Sequence, residues 1–338
     1  MRLMAHDSCR PGDVVADSVR GPQGEVLIEK GTALTPLLLE QCAALRTDIL
    51  PIEWLGWDSI RPSWWVSEGI MERCRAWVSS GLAGLDAEGL ITARRVTSEL
   101  LAILPPEDQR PFEAMPRYQV GSPAAAAWIN TVGLTIKLAA GLDWKRVEDY
   151  ALAAVILGLE FGIPAGRVQI PESCRLDPVI TAIRTRSAVP ATTRAVIAQH
   201  HARWDGSGDP PLRGDQIFLG AQIVGLAEAV NTLVLAPDDE PLLVHEALEW
   251  ASGGAGIDFA IDWVRRLQRI LAPYPVGSTV QLGNNEVAVV LDNALDWPAR
   301  PVVRLFNGPY AGQTIRLTDP DHRARGITGF YTGREIPS

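Results

Sequence analysis

Between about residues 68 and 273, apolar positions recur at the three- and four-residue spacing of helices. The clearest runs are DAEGLITARRVTSELLAIL (86–104), AAAAWINTVGLTIKLAAGL (124–142), VEDYALAAVILGLEF (147–161), TTRAVIAQHH (192–201), LGAQIVGLAEAVNTLVL (219–235) and IDFAIDWVRRLQRIL (257–271). Pro105, Pro164, Pro190 and Pro241 punctuate the runs, which predicts an all-α core of about seven to nine helices. Upstream, residues 11–57 alternate apolar and polar positions around the turn GPQG (21–24) and then become helical in TPLLLEQCAAL. This predicts a small β-hairpin followed by one helix. Downstream of PYPVGSTV the period changes: TVQLG, EVAVVLD, PVVRLFN and TIRLTD, within 279–319, are short β-branched runs separated by Gly, Asn and Pro.

The expected fold class is therefore mainly α, a helical domain with a small N-terminal α+β region and a small C-terminal β-module. The boundaries drawn from the pattern are 1–58 for the N-terminal region, 59–67 for a connector, 68–273 for the helices and 274–338 for the β-module. The run WLGWDSIRPSWW (54–65) places four tryptophans around the connector and reads as irregular chain that packs against something.

Composition narrows the class of protein. The 338 residues are 47% hydrophobic and 21% charged, values of a folded chain and far from those of disorder. A net charge of −9 without any stripe of Lys and Arg argues against a nucleic-acid polymer as partner. Cys9, Cys42, Cys74 and Cys174 lack CxxC spacing, which argues against a structural zinc site and for reduced thiols in a cytoplasm. The N-terminus has no apolar signal core, and the stretch 124–142 is interrupted by Asn130, Thr131, Thr135 and Lys137. A spanning helix needs about 20 predominantly apolar residues, so the expectation is a buried helix, no membrane insertion and a cytoplasmic location.

The candidate chemistry lies in HHARWDGSGD (200–209), where adjacent histidines at a helix end precede a glycine-rich turn with an aspartate. Imidazoles so placed are able to meet a metal ion. The longer segment HHARWDGSGDPPLRGDQIFLGAQIVGLAEAVNTL (200–233) resembles the signature of the HD-GYP family, HHExxDGxGYPxGLxGxxI followed by a helix carrying IxxxADxxDAL. His200, His201, Trp204, Asp205, Gly206, Ser207, Gly208, Pro210, Leu212, Gly214, Ile217, Gly220, Ile223, Ala227 and Leu233 carry the resemblance. It implies an all-α phosphodiesterase of the HD superfamily, in which two or three iron or manganese ions activate water against the bacterial second messenger cyclic di-GMP.

The same resemblance exposes what is missing. LAAVILGLEFGIP (152–164) stands where the family has AALLHDIGKxGIP, so the His–Asp pair falls on Ile156 and Leu157 and the lysine on Glu160. The family's earlier metal-binding helix corresponds to SPAAAAWINTVGLTIKLAAGL, with Ala125 near the ligand position and no histidine. No histidine stands between Pro164 and His200, the glutamate after the histidine pair is Ala202, the tyrosine is Asp209, and the two aspartates of the next helix are Glu228 and Asn231. Only His200, His201 and Glu228 remain as metal ligands.

The expectation is a degenerate member, catalytically inactive and metal-free, that serves as a binding or regulatory module in bacterial cyclic di-GMP-type signalling through protein partners. His200 and His201 are then helix-end and turn-packing residues bonded to backbone or to Asp205, and Asp205, Gly206 and Gly208 hold the turn. One alternative is residual metal-dependent hydrolysis, with iron, manganese or zinc on His200, His201 and Glu228. Another is a receptor that holds cyclic di-GMP without cleaving it, through Arg203, Trp204 and Arg213.

Overall fold

The fold, a computed structural model, describes residues 1–21, 23–44, 49–54, 60, 65–105, 107–160, 178–183, 186, 188–235, 241–295 and 297–331. Its helices are α1 (Pro36–Ala44), α2 (Glu68–Ser80), α3 (Ala87–Ile103), α4 (Arg117–Val120), α5 (Pro123–Ala139), α6 (Trp144–Leu157), α7 (Pro178–Ile183), α8 (Ala191–Gln199), α9 (Leu219–Leu235), α10 (Val244–Gly253) and α11 (Ile261–Ile270). Its strands are β1 (Arg2–Ala5), β2 (Val19–Arg20), β3 (Val26–Ile28), β4 (Ile49–Ile52), β5 (Thr279–Leu282), β6 (Val287–Asp292), β7 (Val302–Leu305), β8 (Thr314–Arg316) and β9 (Ile327–Phe330). The chain is mainly helical with small sheets, as the periodicity predicts.

The helical unit comprises residues 65–109 and 123–267. Asp86 caps α3 by accepting the Gly89 N–H at 2.7 Å, and Asp143 caps α6 by accepting that of Arg146 at 3.1 Å. In α6 every residue from Asp149 to Leu157 is buried, the signature of a helix enclosed on all sides. It packs against α3, α5, α8 and α9, while α5 also lies along α9. Small residues permit that closeness: a Cβ on Gly220 of α9 would come within 2.5 Å of the Tyr150 ring and 2.6 Å of Val196. Residues 257–260, expected as the start of the last helix, instead form a turn before α11. Among the described residues no helix is long and apolar enough to cross a membrane.

The second unit comprises residues 1–64, 110–122 and 268–338. The hairpin expected at GPQG is β2–β3, closed by a 2.8 Å bond from Gly24 N–H to the Gly21 carbonyl. The strands expected downstream are β5 to β8, part of an antiparallel sheet in the order β8-β7-β6-β5-β9. Alternating burial, as in β7, turns Val303 and Leu305 into a core with Val280, Leu282 and Val290.

Two pairings were not foreseen, β1 with β4 and β5 with β9, and both join strands distant in sequence. The grouping also differs from the linear boundaries. Leu3 N–H donates to Gly277 at 3.1 Å, Arg2 Nε to Thr279 Oγ1 at 2.9 Å, and Phe112 N–H to Ile270 at 2.6 Å. Residues 1–21, residues 110–122, assigned above to the helical domain, and the C-terminal strands β5 to β9 thus share one unit. Trp54 of the tryptophan-rich run lies under the Arg2 guanidinium at 4.8 Å, whereas Trp57 and Trp64 fall outside the described residues.

Candidate functional site

The site is assembled in the helical unit where α8 ends against α9. His200 follows the last residue of α8 in a helical conformation and is buried. Gly225 permits the approach, because a Cβ there would stand 2.2 Å from the His200 carbonyl oxygen. Glu228 lies three residues further along α9, on the same face of the helix. Its Oε2 is 3.4 Å from His200 Nε2 and 3.9 Å from His201 Nε2.

The His200 ring is held by its other nitrogen, Nδ1, which sits 2.7 Å from the Ile197 carbonyl and donates to it. That bond leaves Nε2 as the atom presented to Glu228. The His201 ring is exposed and lies 3.9 Å from the His200 ring, centroid to centroid. One ligand atom from each of His200, His201 and Glu228 lies within 4.8 Å of the others, the group of three metal-ligating side chains that converges among the described residues. Of the two partners expected for the histidines, backbone or Asp205, His200 takes backbone, and the Asp205 carboxylate accepts the Ser207 N–H at 2.9 Å.

The turn after the histidines is tightly cross-bonded. Ser207 donors hold the Asp205 carboxyl below the usual carboxylate range. Gly206 has φ +84°, a left-handed conformation, and Gly208 stands so near the backbone that a Cβ would lie 2.3 Å from the His201 carbonyl oxygen. Pro210 follows a cis peptide bond with Asp209. Trp204 and Asp205 donate their N–H groups to the carbonyls of Asp258 and Ile257 at 3.0 and 2.8 Å.

The side chains named for ligand binding have local work. Arg213 Nε donates to the Asp205 carbonyl at 2.6 Å, and the Arg203 guanidinium lies 5.5 Å from the centroid of the Phe259 ring. Trp204 lines a small hollow with Ala202, Ile217, Ala221, Gln222 and Leu226.

The positions of the family's His–Asp pair lie at the end of α6. Ile156 is 0% exposed and Leu157 2%. The carbonyls just before them are taken by two indoles: Trp77 Nε1 donates to Val155 at 2.7 Å and Trp128 Nε1 to Ala154 at 3.0 Å. Gly158 makes room for the Trp128 ring, since a Cβ there would stand 2.1 Å from Nε1. Ala125 is buried on α5, and Asn231 Nδ2 bonds back to Ala227 of its own helix at 2.8 Å. Gly162, Ile163 and Pro164, which set the alignment of the pair, fall outside the described residues.

These residues do not fit the family's centre of two or three ions, which requires more nitrogen and carboxylate ligands than one triad supplies. They do fit a single ion.

No protein-family model matches the chain. No curated protein matches it either. Among solved structures it is similar to Bd1817, a HDG"Y"P protein from Bdellovibrio bacteriovorus, at 12% identity and a TM-score of 0.41, over 78% of this chain and 97% of that one. A likeness of that degree places the chain in no fold family.

The sequence named every member of the triad, but not its convergence. Trp77 and Trp128 went unremarked. Their signal was weak, because an indole in an apolar helix reads as packing until its N–H is seen to find a carbonyl.

Proposed function

We propose that the helical unit is an HD-GYP-like module that does not hydrolyse cyclic di-GMP and instead serves bacterial signalling as a binding or regulatory component. Kinship with the family rests on the signature segment 200–233. The loss of hydrolysis rests on one observation, the complete burial of Ile156 and Leu157 where two metal ligands belong. A vacated ion site would leave orphaned polar groups at a cost of about 1–3 kcal/mol each. Here aliphatic side chains take those positions and indole N–H groups satisfy the adjacent carbonyls, so the region is a dry core.

The test is hydrolysis of cyclic di-GMP by protein purified without oxygen and supplemented with iron or manganese. No turnover is expected, and turnover that disappears on His201→Ala would overturn the proposal.

A second reading, a single-ion site, is favoured by the convergence of His200, His201 and Glu228. Two imidazoles and one carboxylate suit iron or zinc, with the Ile197 carbonyl orienting the buried ring. Elemental analysis separates the two readings: the metal-free module retains no ion after dialysis, whereas the single-ion site retains one per chain and loses it in Glu228→Ala.

A further inference from the structure

Three large apolar side chains of the helical unit are exposed on α10, the turn after it and the start of α11: Trp250 at 42%, Ile257 at 54% and Ile261 at 46%. Two of them are tied to the turn by contacts. Trp250 at the end of α10 meets the buried Phe259 edge-on at 5.8 Å between centroids, and the Ile261 side chain lies 3.5 Å from where a Cβ on Gly256 would sit.

The turn that carries them is rigid. The Gly254 carbonyl accepts N–H groups from Ile257, Asp258 and Phe259 at 3.0, 2.8 and 3.2 Å, and Gly256 N–H returns to the Phe259 carbonyl at 2.7 Å. The signature turn braces it through the bonds of Trp204 and Asp205 to Asp258 and Ile257. A surface already held in shape loses little conformational freedom on association.

The charges around the patch decide what it suits. Around the turn, Glu246, Glu249, Asp258 and Asp262 stand against two guanidinium groups, Arg265, itself 3.6 Å from Asp262, and Arg203, over the Phe259 ring at 5.5 Å, which leaves an excess of carboxylates. A second copy of this chain, with its net charge of −9, would set carboxylates against carboxylates. An anionic membrane surface or a nucleic acid is repelled for the same reason.

We infer that this turn is a docking surface for a cationic, apolar segment of another protein, whose apolar side chains cover Trp250, Ile257 and Ile261 while its lysines or arginines meet Glu246, Glu249 and Asp262. The inference rests on the binding role proposed above and gives that role a place and a partner chemistry.

The probe is a labelled synthetic amphipathic helix of leucine and lysine, followed by fluorescence anisotropy, with the leucine–glutamate counterpart as control. The full chain binds the lysine peptide and not the glutamate one. Ile257→Ser with Ile261→Ser weakens binding about tenfold, and so does Glu249→Lys with Asp262→Lys. Ile91→Ser with Trp144→Ser, which changes exposed apolar residues elsewhere on the same unit, leaves affinity unaltered. Circular dichroism confirms that each variant is folded.

Failure to bind, equal binding of both peptides, or loss of affinity in the control variant as large as in the patch variants overturns the inference. The hydrolysis assay reads the other claim separately: turnover with an intact peptide response removes the inactive-module reading alone, whereas no turnover with no peptide response removes the docking surface alone.

Discussion

Replacing Leu157 with aspartate reintroduces one of the family's metal-ligand residue types and asks directly whether the end of α6 is core or cleft. Leu157 is 2% exposed, and the carbonyls beside it are occupied by Trp77 and Trp128. Loss of the apolar side chain costs about 3 kcal/mol, the scale of a buried Leu truncation. A carboxylate confined there is raised by about 3 pKa units for lack of water, which adds about 4 kcal/mol at neutral pH.

The isosteric Leu157→Asn variant bears the first cost without the ionisation. The sign follows from linkage. A carboxyl whose folded pKa lies above its unfolded value of about 3.9 destabilises the fold increasingly as pH rises from there to the folded pKa. Urea unfolding should therefore give similar stabilities for the two variants near pH 4 and a gap of about 4 kcal/mol by neutral pH, a large fraction of the about 5–15 kcal/mol typical of a domain. A gap below about 1 kcal/mol at neutral pH would show that the position opens onto water, and the dry-core argument would fall.

Gly225→Ala should destabilise the helical unit by about 1–3 kcal/mol in thermal melts and shift the histidine ring resonances by NMR, because the new methyl meets the His200 carbonyl. Gly158→Ala should cost a similar amount and quench or shift the Trp128 indole N–H signal, whose ring occupies that space. Cys74, whose thiol burial pushes up to about 12, should resist a thiol reagent in the native protein and react fully in denaturant. In the sheet unit, burial alone would raise Glu286, but the Arg325 guanidinium at 2.8 Å and Asn284 hold its carboxyl below the usual range. Its contribution is therefore present above the unfolded carboxylate pKa and lost as pH falls through the lower folded value. Arg325→Met should cost about 2 kcal/mol at neutral pH and less in acid, where Glu286 is protonated, as thermal melts at both pH values would show.

Local chemistry was legible throughout. The GPQG hairpin, the helices and the strands β5 to β8 follow from patterns within a few residues of one another. The resemblance of 200–233 was legible for the same reason, since its glycines answer to backbone needs inside one turn. Strand β9 was missed because ITGF is short and contains glycine, so its strand character comes from pairing with β5. The helix expected from 257 starts at Ile261 because Gly254 and Gly256 support a turn that its apolar residues do not advertise.

By itself the sequence determined the class of fold, the adjacent histidines before a glycine-rich turn and the aliphatic residues Ile156 and Leu157, because each depends on residue identity or on spacing along the chain. The tertiary structure decided that the N-terminal strands and β5 to β9 join one unit, that His200, His201 and Glu228 meet while Asp205 accepts from Ser207, and that Trp77 and Trp128 bond to the carbonyls beside Ile156 and Leu157. Those are contacts between segments tens to hundreds of residues apart. They are selected by how apolar faces close together, with glycines such as Gly225 and Gly158 setting how near two elements come, and periodicity along the chain does not encode that choice.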